Sequence, residues 1–408
     1  MIRKRIKKRQ LLKKKKRGEF FLYLTVIIFS VLFLFLGNKI ATNDLPVLNG
    51  DYSKQTIVTA KIEKITDRSL EEYSLDENNT NKIVKITFDA MILSGAEKGK
   101  KVAGIQSIGS IYIYDMNTPE VKKGDKILLL YNEGQEEIDW QFVEFVRTDK
   151  LLVFGILFVF ALLLFGHIKG FNTLLSLVFT CGAIFAVFIP SILSGKNIYL
   201  SSIIICLYTI LMTYLIVNGF NKKTLSAILG CFGGIFISGI LTIIMDKVLA
   251  LTGYVNEESG YLFCVSTEAP IDLKAIIFAA ILIGAMGAIM DVSMSISSSL
   301  WEVKNKSDYS SFNVLFKSGM NIGRDVMGTM ANTLILAYIG SSLSVVLLLS
   351  IYSTSLIYLL NQEMIVVEII QALVGSFGIL FTIPLTSLIC AAIYNKDINE
   401  NRARQEIS

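Results

Sequence analysis

The sequence predicts a mainly α fold: a polytopic transmembrane helix bundle with a small extracytoplasmic β-barrel-like domain inserted after the first helix. Three observations predict it. The composition is strongly apolar, bilayer-length apolar runs follow one another, and a single long polar stretch with β-like patterning separates the first run from the rest. Of 408 residues, 53% are hydrophobic and 18% charged, and mean hydropathy is +0.57, too apolar for a globule wetted on every side. Near-continuous apolar runs cover residues 20–36, 151–165, 174–189, 198–217 and 225–245. A hydrocarbon core takes roughly 17–25 residues to cross, so the runs at 151 and 174 need their flanks.

The amino terminus opens with eleven Lys and Arg in residues 1–17; without them the net charge of +5 falls to −6. A basic block abutting a 17-residue apolar run reads as a cytoplasmic anchor on anionic headgroups rather than a nucleic-acid arm. Gly37-Asn38-Lys39 follows the run with no small-x-small site, so residues 20–37 are expected to remain as a signal anchor.

Residues 38–149 change character. Short β-like stretches at 56–62, 82–92, 101–105, 110–114, 126–131 and 142–146 alternate with turn signals at Gly95, Gly99, Pro119, Gly124-Asp125 and Gly134. That spacing predicts a small barrel or sandwich, and the acidic, Asn-rich stretch 67–81 reads as a long loop. The positive-inside rule places this domain outside the cytoplasm.

Residues 150–395 then form the helix bundle, followed by a tail at 396–408. His167–Gly170 turns inside, 194–197 outside, 221–223 inside, 246–273 outside and 301–310 inside. Residues 326–360 hold more apolar residues than one straight span needs, and Gly340-Ser341-Ser342 interrupts them. They read as one broken or re-entrant unit, giving about eight spans with a range of seven to nine.

Ionisable groups within spans are the best pointers to function. Gly284, Ala288, Asp291, Ser295 and Ser298 recur at spacings of 4, 3, 4 and 3, which puts them on one helical face. That face suits close helix approach as well as a polar path. In the stretch 318–333, Gly319, Gly323 and Gly328 lie beside Asn321, poor material for an unbroken helix. A break near 321–323 would set Arg324 in the first turn of a new helix, where an anion is favoured. Asp325, Gly328, Thr329 and Asn332 continue a polar face. On the last span, Glu368, Ala372, Gly375 and Ile379 share a face, with Pro384 beyond. Glu368 is expected near the outer surface, the others near the inner one. Glycines 230, 233, 234 and 239 indicate close helix packing.

Other chemistries lack their residues. No Walker A loop, GxGxxG, GxSxG or HExxH occurs, the five cysteines form no CxxC pair, and there is one histidine. No metal, cofactor or catalytic group is expected. Gly287–Ser295, Ser318–Asn332, Thr333–Ser342, Glu368, Gly375-Ser376-Phe377-Gly378 and Pro384 together resemble the YibE/F-like integral membrane family, over roughly residues 50–395. The resemblance implies a multi-spanning bacterial plasma-membrane protein with its amino terminus cytoplasmic, and brings no substrate with it. The expected function is a permease of a small solute or ion, with Asp291, Ser295, Asn321, Arg324, Asp325, Thr329, Asn332 and Glu368 along the path. The alternatives are a scaffold or accessory subunit whose outer domain binds a protein partner and, more weakly, an intramembrane enzyme on lipid-linked substrates.

Overall fold

A computed structural model of the chain describes residues 2–43, 56–76, 79–109, 118–132, 138–264, 271–306, 311–352 and 355–406. It divides into two compact units, residues 47–161 and a second formed by 1–46 with 162–408. The helix α1 (Ile2–Thr42) opens the chain, and the barrel strands come next.

Strands β1 (Ile57–Asp76), β2 (Asn79–Ile92), β3 (Lys101–Ile108), β4 (Lys126–Tyr131) and β5 (Trp140–Phe145) close a barrel in the order β1-β2-β3-β5-β4. All pairs are antiparallel except β3 with β5, the connectivity of a five-stranded Greek-key barrel of the OB type. Alternation fixes which side faces in. Every second residue of β3 is buried, from Val102 to Ile108, as period-2 patterning requires. Ile62, Phe88, Ile92, Ile127 and Leu129 are 1% exposed or less. Phe88 pairs across the sheet with Gly104, where a Cβ would sit 2.6 Å from the ring; the missing side chain is the space the ring occupies.

Two expectations for this unit change. The stretch 67–81 is not a loop: β1 and β2 pair through it as a projecting ribbon, from Asp67 with Thr87 to Asp76 with Asn79. Cross-strand backbone hydrogen bonding carries the ribbon, and it does not require apolar side chains. The strand expected at 110–114 lies outside the described residues.

Gln106 is the buried polar residue of the barrel. Its Nε2 donates to the Pro119 carbonyl and its Oε1 accepts from the Val121 N–H, both at 2.9 Å. Gln106→Leu strands both backbone groups, so the barrel should lose about 1–3 kcal/mol. Faster hydrogen exchange at the Val121 amide would report that loss; unchanged exchange would contradict it.

Among the described residues, seven helices are long and apolar enough to cross a bilayer. One, Thr148–Leu193, has 46 residues, about 69 Å at 1.5 Å per residue, far beyond a core of about 30 Å. Within it, α2 (Thr148–Gly182) is followed by a π-helical segment (Ala183–Phe188) and α3 (Ile189–Leu193). The chain bends in α2 at His167 (φ 47°, ψ −129°). Gly170 thereby comes against the Leu162 carbonyl, a pair that straight helix would hold about 12 Å apart. The turn expected at 167–170 is present, and it divides this stretch into two helices. The seven candidates lie within the expected range of seven to nine, and the division at His167 leaves room for an eighth.

The remaining helices are α4 (Ile198–Asn218), α5 (Lys222–Val248), the short α6 (Glu257–Cys264), α7 (Leu273–Lys306), α8 (Phe312–Tyr352), α9 (Leu356–Leu360) and α10 (Glu363–Glu406). Asn197 and Asn221 cap α4 and α5, their side-chain oxygens accepting from Leu200 N–H and Thr224 N–H. Such caps satisfy donors that the first helical turn leaves free.

Neither helix break expected in α8 occurs; it runs unbroken for 41 residues. Gly319 and Gly323 are packing positions: Ser387 and Leu300 close over the first and Ile383 over the second. Ser341 and Ser342 donate to the Tyr338 carbonyl at 2.8 Å, so their hydroxyls are satisfied within the helix. Residues 326–360 therefore hold one crossing and the short α9, and α10 runs through Pro384 as one helix.

Close approach through small residues organises the core. A Cβ at Gly230 would meet Thr386, at Gly233 Leu385, and at Gly234 Thr382 and Ile289. These contacts seat α5 on α10, as the glycine spacing of α5 anticipated. On α10, Gly375 faces Leu334 and Ala285, while Gly378 faces Ser238 and Ile289, which brings α8, α7 and α5 to the same helix. Among lipid-like surroundings such van der Waals fit, rather than a hydrophobic drive, holds helices together.

Candidate functional site

The two ends of the bundle differ in charge. At one, the Ser297 hydroxyl donates to the Lys223 carbonyl and bonds the Tyr394 hydroxyl, at 2.7 and 2.8 Å. Lys304 lies 4.4 Å above the Trp301 ring, with Lys222, Lys306 and Lys396 at the adjacent helix ends. Tyr23 of α1 bonds Asn172, which in turn bonds the Ile216 carbonyl, so the side of α1 that follows the basic block meets this end. At the opposite end Lys274 approaches Asp246 at 3.6 Å, and Glu363 accepts from the N–H groups of Thr252 and Gly253 at 2.8 and 2.6 Å. Nearby, a cavity of about 290 Å³ is lined by Tyr199, Thr242, Asp246, Lys274 and Ile370 among others.

Helices α7 and α8 run antiparallel. Gly284 meets the Tyr338 hydroxyl at one level, and Leu300 meets Gly319 at another. Between these levels lie Asp291 and Ser295 on α7 and Arg324, Asp325 and Gly328 on α8. Asp291, Ser295, Asn321, Arg324, Asp325, Thr329 and Asn332 are all exposed on the single chain. Thr329 donates to the Val326 carbonyl at 2.9 Å; Arg324 and Asp325 have no partner among the described residues.

Their depth follows from the helix beside them. Gly323 packs on Ile383, which lies thirteen residues from Lys396 and twenty from Glu363 in the span Glu363–Lys396. At about 1.5 Å per residue that is some 20 Å and 30 Å from the two ends. Arg324 and Asp325 thus lie well inside the length of that span.

Glu368 belongs elsewhere. It is only five residues from Glu363 and half-buried, and its Oε2 is fully enclosed without a hydrogen-bond partner among the described residues. The Tyr338 hydroxyl is likewise enclosed and without a partner among the described residues, and Glu368 acts on it electrostatically. Gly284 opens the space for that hydroxyl, since a Cβ there would collide with it. Gly284 of α7 and Tyr338 of α8 meet there, one turn from where Gly375 of α10 packs on Leu334 and Ala285. The polar residues expected to share one path fall into this enclosed pair, the α7 face with Asp291 and Ser295, and the α8 face from Asn321 to Asn332. Sequence reasoning missed Tyr338. The available signal was a hydroxyl among apolar neighbours in Leu334–Ile339, which needs a polar neighbour when buried.

Among the described residues no group of three or more His, Cys, Asp or Glu is placed to hold a metal ion. Cys206, Cys231 and Cys390 are buried and unpaired, packed as small apolar groups.

No curated protein and no solved structure matches the chain. The family described as YibE/F-like protein matches residues 154–396, more than half of the 408. The match starts later than the expected residue 50, so the barrel lies outside it. This membrane protein belongs to the YibE/F-like family.

Proposed function

We propose that the chain is a permease for a small solute or ion in a bacterial plasma membrane, and that Glu368 takes up and releases a proton or cation during transport. The observation that carries this reading is an enclosed carboxylate oxygen of Glu368 on α10 without a partner among the described residues, which acts electrostatically on the equally enclosed hydroxyl of Tyr338 on α8. A buried carboxylate without a hydrogen bond is unfavourable in apolar surroundings. A cation or proton arriving at Glu368 relieves it, and its departure restores it. Asp291 and Ser295, on the face of α7 that continues from Gly284, extend the path toward the basic end. That end faces the cytoplasm by the positive-inside rule, with the amino terminus on the same side.

The test compares solute uptake and efflux in cells lacking the chain and in cells supplied with wild type, Glu368→Gln, Tyr338→Phe or Asp291→Asn at matched expression. Glu368→Gln should reduce flux to the level of cells without the chain, and Asp291→Asn should slow it. Full flux in Glu368→Gln overturns the assignment. Should function instead vanish only when residues 56–146 are excised, the chain acts as a scaffold whose barrel engages a partner.

A further inference from the structure

Arg324 and Asp325 pose a separate problem from the enclosed Glu368 pair. Both are exposed at the side of the bundle, and the packing of Gly323 on Ile383 sets them about 20 Å and 30 Å from the two ends of the neighbouring span Glu363–Lys396. Charged groups facing hydrocarbon at that depth are strongly unfavourable. Along α8 the residues Asn321, Asp325, Gly328, Asn332, Ile335 and Ile339 recur at spacings of 4, 3, 4, 3 and 4, a single outward seam on a helix of 3.6 residues per turn. Of these, Asn321, Asp325, Gly328, Asn332 and Ile339 are exposed and Ile335 is half-buried. Nothing lies within 4 Å of a Cβ placed at Gly328.

We infer that two copies of this chain pair in the membrane through this seam of α8, with Arg324 of each copy against Asp325 of the other. Adjacent residues on a helix are about 100° apart, so Asp325 at one edge of the seam and Arg324 just beyond the other edge lie on opposite sides of its midline. When two such helices pack in parallel about a two-fold axis along the membrane normal, the left flank of one faces the right flank of the other. Each cation then meets an anion, twice, in the self-complementary arrangement that an isologous contact requires. Two copies inserted with the same orientation satisfy this geometry without further adjustment. Gly328 at the centre allows the backbones to approach, while Asn321 and Asn332 meet their own counterparts across the axis and exchange hydrogen bonds.

The charge pattern distinguishes a second copy from other coverings. A water-filled vestibule is indifferent to the order of the two charges, and an unrelated subunit carries no requirement for self-complementarity. The test uses the full chain in lipid nanodiscs or vesicles at low protein-to-lipid ratio, with single-molecule subunit counting. Wild type should count as two. Arg324→Asp and Asp325→Arg, each alone, place like charges across the axis and should weaken pairing by roughly a hundredfold or more. The double exchange Arg324→Asp/Asp325→Arg should restore it.

A second measurement guards against misfolding. Under mild oxidation, Asn332→Cys should give a disulfide-linked pair beyond the wild-type background, while Phe236→Cys, on α5 and 70% exposed, should not. Wild type counting as one, single reversals still pairing, or equal cross-linking at both positions would each overturn the inference. A monomer whose cysteine at 332 reacts with water-borne reagents would assign the face to a vestibule. These readouts do not depend on flux, so they stand or fall apart from the role given to Glu368.

Discussion

Gly234→Val is expected to keep α5 from seating on α10 and to lower the stability of the bundle by about 3 kcal/mol. The first added atom would collide with the Thr382 hydroxyl, then meet Ile289 at 3.0 Å and the Gly378 carbonyl at 3.1 Å. A carbonyl in the spine of α10 cannot swing aside as a side-chain tip can. Nor can α10 withdraw, because Gly375 and Gly378 hold it equally close to α8, α7 and α5. Thermal unfolding in detergent, followed by loss of monodisperse protein, measures the effect. Gly287→Ala is the control. Nothing lies within 4 Å of its added Cβ, and its stability should stay within about 0.5 kcal/mol of wild type. Equal stability for the two variants would mean that the glycine contacts of α5 and α10 do not hold the bundle.

Phe88→Ala should cost the barrel about 3–5 kcal/mol. The ring is 1% exposed and fills the space over Gly104 that no other side chain enters. A single small domain has a margin of roughly 5–15 kcal/mol, so this one change removes a large part of it. Because the barrel forms its own compact unit, the damage should be local. Limited proteolysis should cut within residues 56–146 far faster than in wild type, with the bundle's thermal transition unmoved. A coincident collapse of both would show that the units fold together.

How much of this was legible beforehand depended on which interaction decides each element. Solvent preference decides the spans, and it is a property of local composition, so the apolar helices and the turn at His167 could be read directly. Alternation likewise announced the strands at Lys101 and Lys126. The ribbon was misread because strand pairing is settled between segments, and the polar stretch 67–81 has no apolar alternation to reveal it. The unbroken α8 was misread for a related reason. Gly319 and Gly323 look like helix breakers when taken alone, whereas they are sites where Ser387, Leu300 and Ile383 press close, which only the packed bundle reveals. The enclosed pair was half visible: Glu368 stands out as a charge in an apolar span, while Tyr338 acquires meaning only beside it and Gly284.

Barrel closure also bears on how the water-exposed unit avoids adhering to its neighbours. An open sheet carries a row of unsatisfied amides and carbonyls that another chain can extend into fibrils. Here β4 joins β1 and β5 to complete the ring, so the barrel wall has no such row. The β1–β2 ribbon beyond Lys61 is outside that protection, since β4 accompanies β1 only from Ile57 to Lys61. Lys64, Asp67 and Arg68 punctuate this exposed rim, the charged guard that unpaired strands use against amyloid-like stacking. One molecule thus employs geometry in the wall and electrostatics on the ribbon to remain dispersed.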